Sequence, residues 1–213
     1  MYDSKDIEDC YEEIVSLYND KILFSEDDYE KYALSAVASP IKAMCLHIAH
    51  DCNLRCKYCF ASTGDFGQGR MLMDYETGKR AIDFLIERSG DRKFLEVDFF
   101  GGEPLMAWDT VKQTIDYARS IEEEHGKKFR FTITTNGLLL DDEKIDYINA
   151  NMDNVVLSLD GRPSVNDEMR KTVSGAGSYD IIVPKFQSWS RSAIPSWTTT
   201  HVVPSPARTW TSQ

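Results

Sequence analysis

Phe131-Thr132-Ile133-Thr134-Thr135-Asn136 alternates with a period of two, placing Phe131, Ile133 and Thr135 on one side and Thr132, Thr134 and Asn136 on the other. Successive side chains of a β-strand point to opposite faces, so one face of this strand is polar. The same pattern recurs twice. Leu95, Val97 and Phe99 oppose Glu96 and Asp98, while Val155, Leu157 and Leu159 oppose Val156, Ser158 and Asp160. A parallel sheet covered by helices on both sides should be apolar on both. A repeatedly polar face suits instead a curved sheet whose inner side lines a solvated, ligand-bearing lumen.

Working outward, strands are expected over 44–49, 94–100, 129–136 and 154–160, alternating with helices over 74–88, 108–124 and 141–152. Asp74, Asp109 and Asp141 stand near the helix starts as cap candidates. Val111, Ile115 and Ala118 share one face of the second helix. Repeated βαβ units imply parallel strands with helices outside, about four such units in all. Residues 1–40 are acidic and patchily amphipathic, with Ile14, Leu17 and Tyr18 at helical spacing, and read as a helical lead-in or linker.

The chain has 213 residues, 42% of them hydrophobic, and a net charge of −11. That charge argues against nucleic acid or an anionic membrane surface as partner. The start, Met1-Tyr2-Asp3-Ser4-Lys5, opens no apolar signal segment, and no run approaches the ~18 apolar residues of a membrane span. The expectation is a cytoplasmic chain. Three of its five cysteines fall within eight residues, a pattern of metal binding rather than of disulfides. Cys10 and Cys45 stand alone and read as structural or incidental.

Cys52-Asn53-Leu54-Arg55-Cys56-Lys57-Tyr58-Cys59 has the spacing C-x3-C-x2-C just after the first expected strand. Three thiolates on one tight loop can hold three irons of a cubane cluster and leave the fourth without a protein ligand. Such an open iron is a coordination site for substrate, as the open position is on catalytic zinc. Zinc is the alternative, with His47 or His50 as fourth ligand. Structural zinc sites usually come as two separated pairs, and no second pair occurs.

The loop resembles the signature of the radical S-adenosylmethionine (SAM) superfamily. That resemblance implies a [4Fe–4S] cluster on Cys52, Cys56 and Cys59, with SAM chelating the unique iron, in a partial (β/α)6 TIM-like barrel left incomplete here. Tyr58 matches the aromatic position beside the cluster and SAM's adenine. Gly101-Gly102-Glu103-Pro104, about 40 residues on at a strand's C-terminal end, is similar to the family's SAM amino-group motif. Glycines there let backbone approach the ligand, and Glu103 offers charge to an ammonium. Ser158 and Asp160 resemble the polar residues near the ribose hydroxyls. Arg170 resembles the arginine that pairs with SAM's carboxylate, with a plain surface arginine as its alternative. Thr134 and Asn136 fall on the same lumen. The implied chemistry is reductive cleavage of SAM to a 5′-deoxyadenosyl radical that takes a hydrogen atom from substrate. The cofactor carries that step, so no side chain is assigned as general acid or base.

Within the superfamily, His47-Ile48-Ala49-His50-Asp51-Cys52 and Cys59-Phe60-Ala61-Ser62-Thr63-Gly64 are most similar to the maturases of SCIFF peptides, in the SPASM-type, peptide- and protein-modifying branch. Those enzymes join a cysteine sulfur to a neighbouring α-carbon. The resemblance covers about residues 40–187 and implies a cysteine-rich precursor peptide and an electron donor such as a flavodoxin or ferredoxin. Anaerobic sulfatase-maturating enzymes are the runner-up, and a non-catalytic cluster-binding protein the alternative outside enzymes. Full-length members add a peptide-recognition domain, two more strands and a cysteine-rich domain for auxiliary clusters; no cysteine follows Cys59.

After Gln187 the composition changes. Residues 188–213 hold no Asp, Glu or Lys, yet contain Trp189, Trp197 and Trp210 with six serines and five threonines. Disordered linkers rarely carry three tryptophans. Read one frame away, the codons of Trp197-Thr198 and Trp210-Thr211 each force Asp, and the rest permits a segment similar to the family's next strand and loop. The expectation is a frameshifted, non-native tail on a truncated, inactive core.

Overall fold

In a computed structural model, residues 3–27, 29, 32–33, 37, 39–192 and 198–202 are described. Met1–Ser39 and Pro40–Gln213 form two compact units. The first contains α1 (Ser4–Asn19), capped by Asp3, whose side chain accepts from the Lys5 amide; none of its residues is buried. Among the described residues no helix is long and apolar enough to cross a membrane.

The second unit is built on a six-stranded sheet. Its strands are β1 (Ala43–His50), β3 (Met71–Leu72), β4 (Phe94–Gly101), β5 (Lys128–Thr135), β6 (Asn154–Ser158) and β8 (Thr198–Val202), in the order β3-β1-β4-β5-β6-β8. Neighbours from β1 to β8 run parallel, and the two-residue β3 closes one edge antiparallel. The sheet stays open, without a closed barrel. Two short strands, β2 (Leu54–Cys56) and β7 (Arg170–Thr172), pair antiparallel apart from it. Between the strands lie α2 (Tyr75–Arg88), α3 (Trp108–His125), α4 (Asp142–Asn151), α5 (Pro163–Met169) and α6 (Tyr179–Ser192).

The expected alternation is what divides the sheet. Leu95, Val97 and Phe99 of β4, Phe129, Phe131 and Ile133 of β5 and Val155 and Leu157 of β6 are buried in one core. Against them pack Ile82 and Leu85 of α2, Val111, Ile115 and Ala118 of α3, Ile145 and Ile148 of α4, and Ile182, Phe186 and Trp189 of α6. Each of the valine, leucine, isoleucine and phenylalanine side chains among them contributes about 1.5–3 kcal/mol on burial. Phe99 and Phe131 stack at 5.8 Å between centroids. The opposite face carries the half-buried Glu96, Asp98, Thr132, Thr134 and Ser158.

Asp74 and Asp141 cap α2 and α4 as expected, accepting from the Thr77 and Lys144 amides. Asp109 does not cap α3. The N-cap is Ala107, because the four-residue 3₁₀ turn Pro104–Ala107 leads straight into that helix. The composition break after Gln187 falls inside α6, whose Trp189 is 1% exposed. Beyond it, β8 pairs with β6 over Asn154–Ser158, a fifth parallel strand that the four expected ones did not include.

Candidate active site

The parallel register brings the C-terminal ends of β1, β4, β5 and β6 to one edge, where open α/β sheets place their ligands. The cysteine loop leaves β1 there. Asp51 Oδ1 accepts from the Cys52 amide at 2.8 Å, the Leu54 amide donates to Cys52 Sγ at 3.4 Å, and the Cys59 amide donates to the Cys56 carbonyl at 3.1 Å. The loop is then fastened to a distant segment. Cys56 pairs with Arg170 across β2 and β7, and the Lys57 amide donates to the Met169 carbonyl at 2.9 Å.

Two glycine positions allow the turn after β4 to close on this loop. Gly102 donates to the Ala49 carbonyl at 2.7 Å, and a Cβ on it would sit 2.1 Å from the Asp51 oxygen. At Gly64, with φ +105°, a Cβ would lie 2.6 Å from that of Cys52. Any side chain at either place would push the cysteine loop out of position.

Cys52, Cys56 and Cys59 line one cavity of about 140 Å³, together with Tyr58, Phe60, Phe100, Gly101, Gly102, Glu103, Thr134, Thr135, Asn136, Ser158 and Arg170. Sequence reasoning had named most of this wall. Burial pushes the Cys52 thiol up to about 12, reinforced by the nearby Glu103, Cys56 and Cys59, and raises Cys56 as well. Both are therefore thiols at neutral pH until a metal displaces the proton. Asn136 Nδ2 approaches Cys52 Sγ at 3.7 Å and donates to Asn53 Oδ1 at 2.8 Å, so β5 touches the loop directly.

Several expected roles look different in place. Glu103 is fully buried. Its Oε1 accepts from Thr135 Oγ1 at 2.7 Å and the Leu105 amide at 3.1 Å, and its Oε2 from the Asn136 amide at 2.8 Å. The carboxylate thus knits the β4 turn to the end of β5. Pro104 starts the 3₁₀ turn and is not on the cavity wall. Asp160 does not line the cavity either: it lies 5% exposed against Tyr58 and Arg170. Arg170 is no surface arginine, being 7% exposed. Thr135, expected on the core face, is the anchor for Glu103. Phe60 and Phe100, unassigned from sequence, stack at 6.2 Å beside the cysteines.

His47 and His50 do not join the thiols. They lie against Phe66 at 4.7 and 5.0 Å between centroids, away from the cavity wall. Among the described residues no three His, Cys, Asp or Glu side chains are grouped for a single metal ion. Three free thiols around one cavity fit a cubane, in which each thiolate takes a separate iron.

The fold and this thiol-lined edge define an α/β domain whose parallel sheet carries a three-cysteine candidate metal site. Residues 46–206 match the radical SAM superfamily, and the chain belongs to it. It is 29% identical over 164 residues to the radical SAM cyclopropyl synthase TigE of Paramaledivibacter caminithermalis, covering 71% of this chain and 34% of that one. To the cysteine-type anaerobic sulfatase-maturating enzyme of Clostridium novyi it is 28% identical over 148 residues, covering 66% and 38%. A solved structure of native anSMEcpe with bound AdoMet and Cp18Cys peptide superposes with a TM-score of 0.65 at 19% identity, over 77% of this chain and 43% of that one. The chain therefore spans less than half the length of these relatives. Membership of the superfamily implies SAM and an iron–sulfur cluster as cofactors.

Proposed function

We propose that this chain is the SAM-cleaving core of a peptide- or protein-modifying radical SAM enzyme. The observation that supports it is the single cavity shared by the three thiols, the Gly101-Gly102 turn, Thr134, Asn136, Ser158 and Arg170. Cys52, Cys56 and Cys59 hold a [4Fe–4S] cluster. With an electron from a flavodoxin- or ferredoxin-type donor, that cluster supplies reductive cleavage of SAM to a 5′-deoxyadenosyl radical. The residues of the chain bind and orient. Gly101 and Gly102 present backbone where no side chain fits, and Arg170 offers a cation to the ligand's carboxylate. Phe60 and Phe100 add a stacked aromatic side to the cavity.

The finer assignment is formation of a cysteine thioether in a ribosomally made, cysteine-rich peptide. It rests on the sequence runs flanking the cysteine loop, and sulfatase maturation is its competitor. Anaerobic loading with iron and sulfide, followed by dithionite and SAM, tests the core reading. A reducible visible absorption band and release of 5′-deoxyadenosine are expected. Colourless protein carrying stoichiometric zinc overturns it. Offering the loaded whole protein a cysteine-rich precursor peptide and a sulfatase-derived peptide then separates the two substrates, by which of them loses two hydrogens or is oxidised at its cysteine.

A further inference from the structure

Asp160 sits where two cavity-wall residues meet. The Tyr58 hydroxyl donates to its carboxylate, 2.9 and 2.8 Å from the two oxygens, and Arg170 Nε donates to Oδ1 at 3.0 Å. The Arg170 guanidinium lies 5.5 Å from the Tyr58 ring centroid, so the three side chains form a closed triangle. The Asp160 and Arg170 side chains are 4% and 9% exposed. The Asp160 amide in turn donates to Asn166 Oδ1 at 3.3 Å, and Asn166 Nδ2 donates to the Ser178 hydroxyl at 3.0 Å, which donates to the Arg170 carbonyl at 2.7 Å.

A buried ion pair of this kind adds little net stability, since desolvation cancels most of the attraction. What it fixes is geometry. Tyr58 lies between Cys56 and Cys59 on the cluster loop, Arg170 pairs with Cys56 across β2 and β7, and Asp160 follows β6. One carboxylate therefore ties the loop, the short β2–β7 ribbon and the main sheet together. It uses the Nε of Arg170, a residue that also lines the cavity.

The geometry points to Asp160 as a positioning residue that sets Tyr58 and Arg170 for SAM without touching SAM itself. This rests on the function proposed above, and replaces the expected contact of Asp160 with the ribose hydroxyls.

The test uses the chain loaded anaerobically with iron and sulfide, titrating SAM while recording the electron paramagnetic resonance of the reduced cluster. Asp160→Asn keeps the side-chain size and removes the charge. With iron content and melting curve equal to the parent, SAM affinity is expected to fall about tenfold or more, with an altered SAM-bound spectrum. Tyr58→Phe should show a smaller change, and the double variant should be no weaker than Asp160→Asn alone. Affinity within twofold of the parent and an unaltered spectrum in Asp160→Asn overturns the proposal. So do strictly additive losses, which would mean that Asp160 contacts SAM independently. If Asp160→Asn fails to fold, Tyr58→Phe decides, since it removes only the hydroxyl: an unchanged titration overturns the proposal and a weakened one supports it. A parent chain that takes up no cluster refutes the function reading instead.

Discussion

Glu103 Oε2 accepts a hydrogen bond from the Asn136 amide at 2.8 Å, joining the turn after β4 to the end of β5 beside the cysteine loop. A fully buried carboxyl group facing three donors is a demanding arrangement. In Glu103→Gln one of the acceptors becomes an NH₂ group facing a donor, leaving a buried N–H unsatisfied. The expected loss is about 1–3 kcal/mol of stability, measured by denaturant unfolding.

The same residue makes a pH prediction for the iron-free protein. Burial pushes Glu103 up from 4.5 to about 7, against its three hydrogen bonds, which favour the anion. The folded chain then holds a proton that the unfolded chain has released. Its contribution is fully present below about pH 4.5 and is lost as pH rises through about 7. Asp98, raised to about 6 by burial, acts with the same sign over a lower window. From about pH 6 to about pH 7.5 the melting temperature should fall, and Glu103→Gln should flatten that slope. An equal slope in the variant would place the titration elsewhere.

Much of this was legible in sequence for definite reasons. Period-two alternation in 95–99, 131–134 and 155–158 survives into burial because one face of the sheet packs against helices and the other does not. Asp74 and Asp141 declare their helices by capping them. The short strands β2, β3 and β7 have two or three residues, too few to show a period. Helix α6 carries Pro184 in its interior, which reads as a break. The thiols were readable from spacing, and Gly101 and Gly102 from the resemblance. The internal role of Glu103 was not, because its partners Thr135 and Asn136 lie 32 and 33 residues away.

The glycine at 102 is expected to be irreplaceable for steric reasons rather than conformational ones. In Gly102→Ala the new Cβ would lie 2.1 Å from the Asp51 oxygen, so backbone must move. Gly126, which ends α3 at φ +62° with nothing within 4 Å, is the control. Gly126→Ala should cost about 1–2 kcal/mol and leave cluster loading intact. Gly102→Ala should lose cluster loading even where the protein stays folded, as read by iron content after anaerobic loading.

Removing one thiol tests the cavity as a metal centre. Cys59→Ala leaves two ligands and should abolish the visible absorption band, while Cys45→Ala, far along β1 from the loop, should not. Because burial holds Cys52 and Cys56 protonated, loading releases protons and should proceed further as pH is raised. A full complement of iron in Cys59→Ala would refute the ligand assignment.

Trp189 bears on where the native chain gives way to any frameshifted tail. The sequence places the change after Gln187, yet Trp189 is 1% exposed in the core that α6 shares with β4, β5 and β6. An indole that did not fill that space in solution would contribute little to folding. One that fills it would cost about 3–5 kcal/mol when truncated in Trp189→Ala. We expect the larger loss by denaturant unfolding, which would carry the folded core at least two residues past Gln187. A loss under about 1 kcal/mol would put the break where the composition does. Reading the codons after Gln187 then tests the frameshift directly: a neighbouring frame that stays open supports it, and one that closes at once ends it.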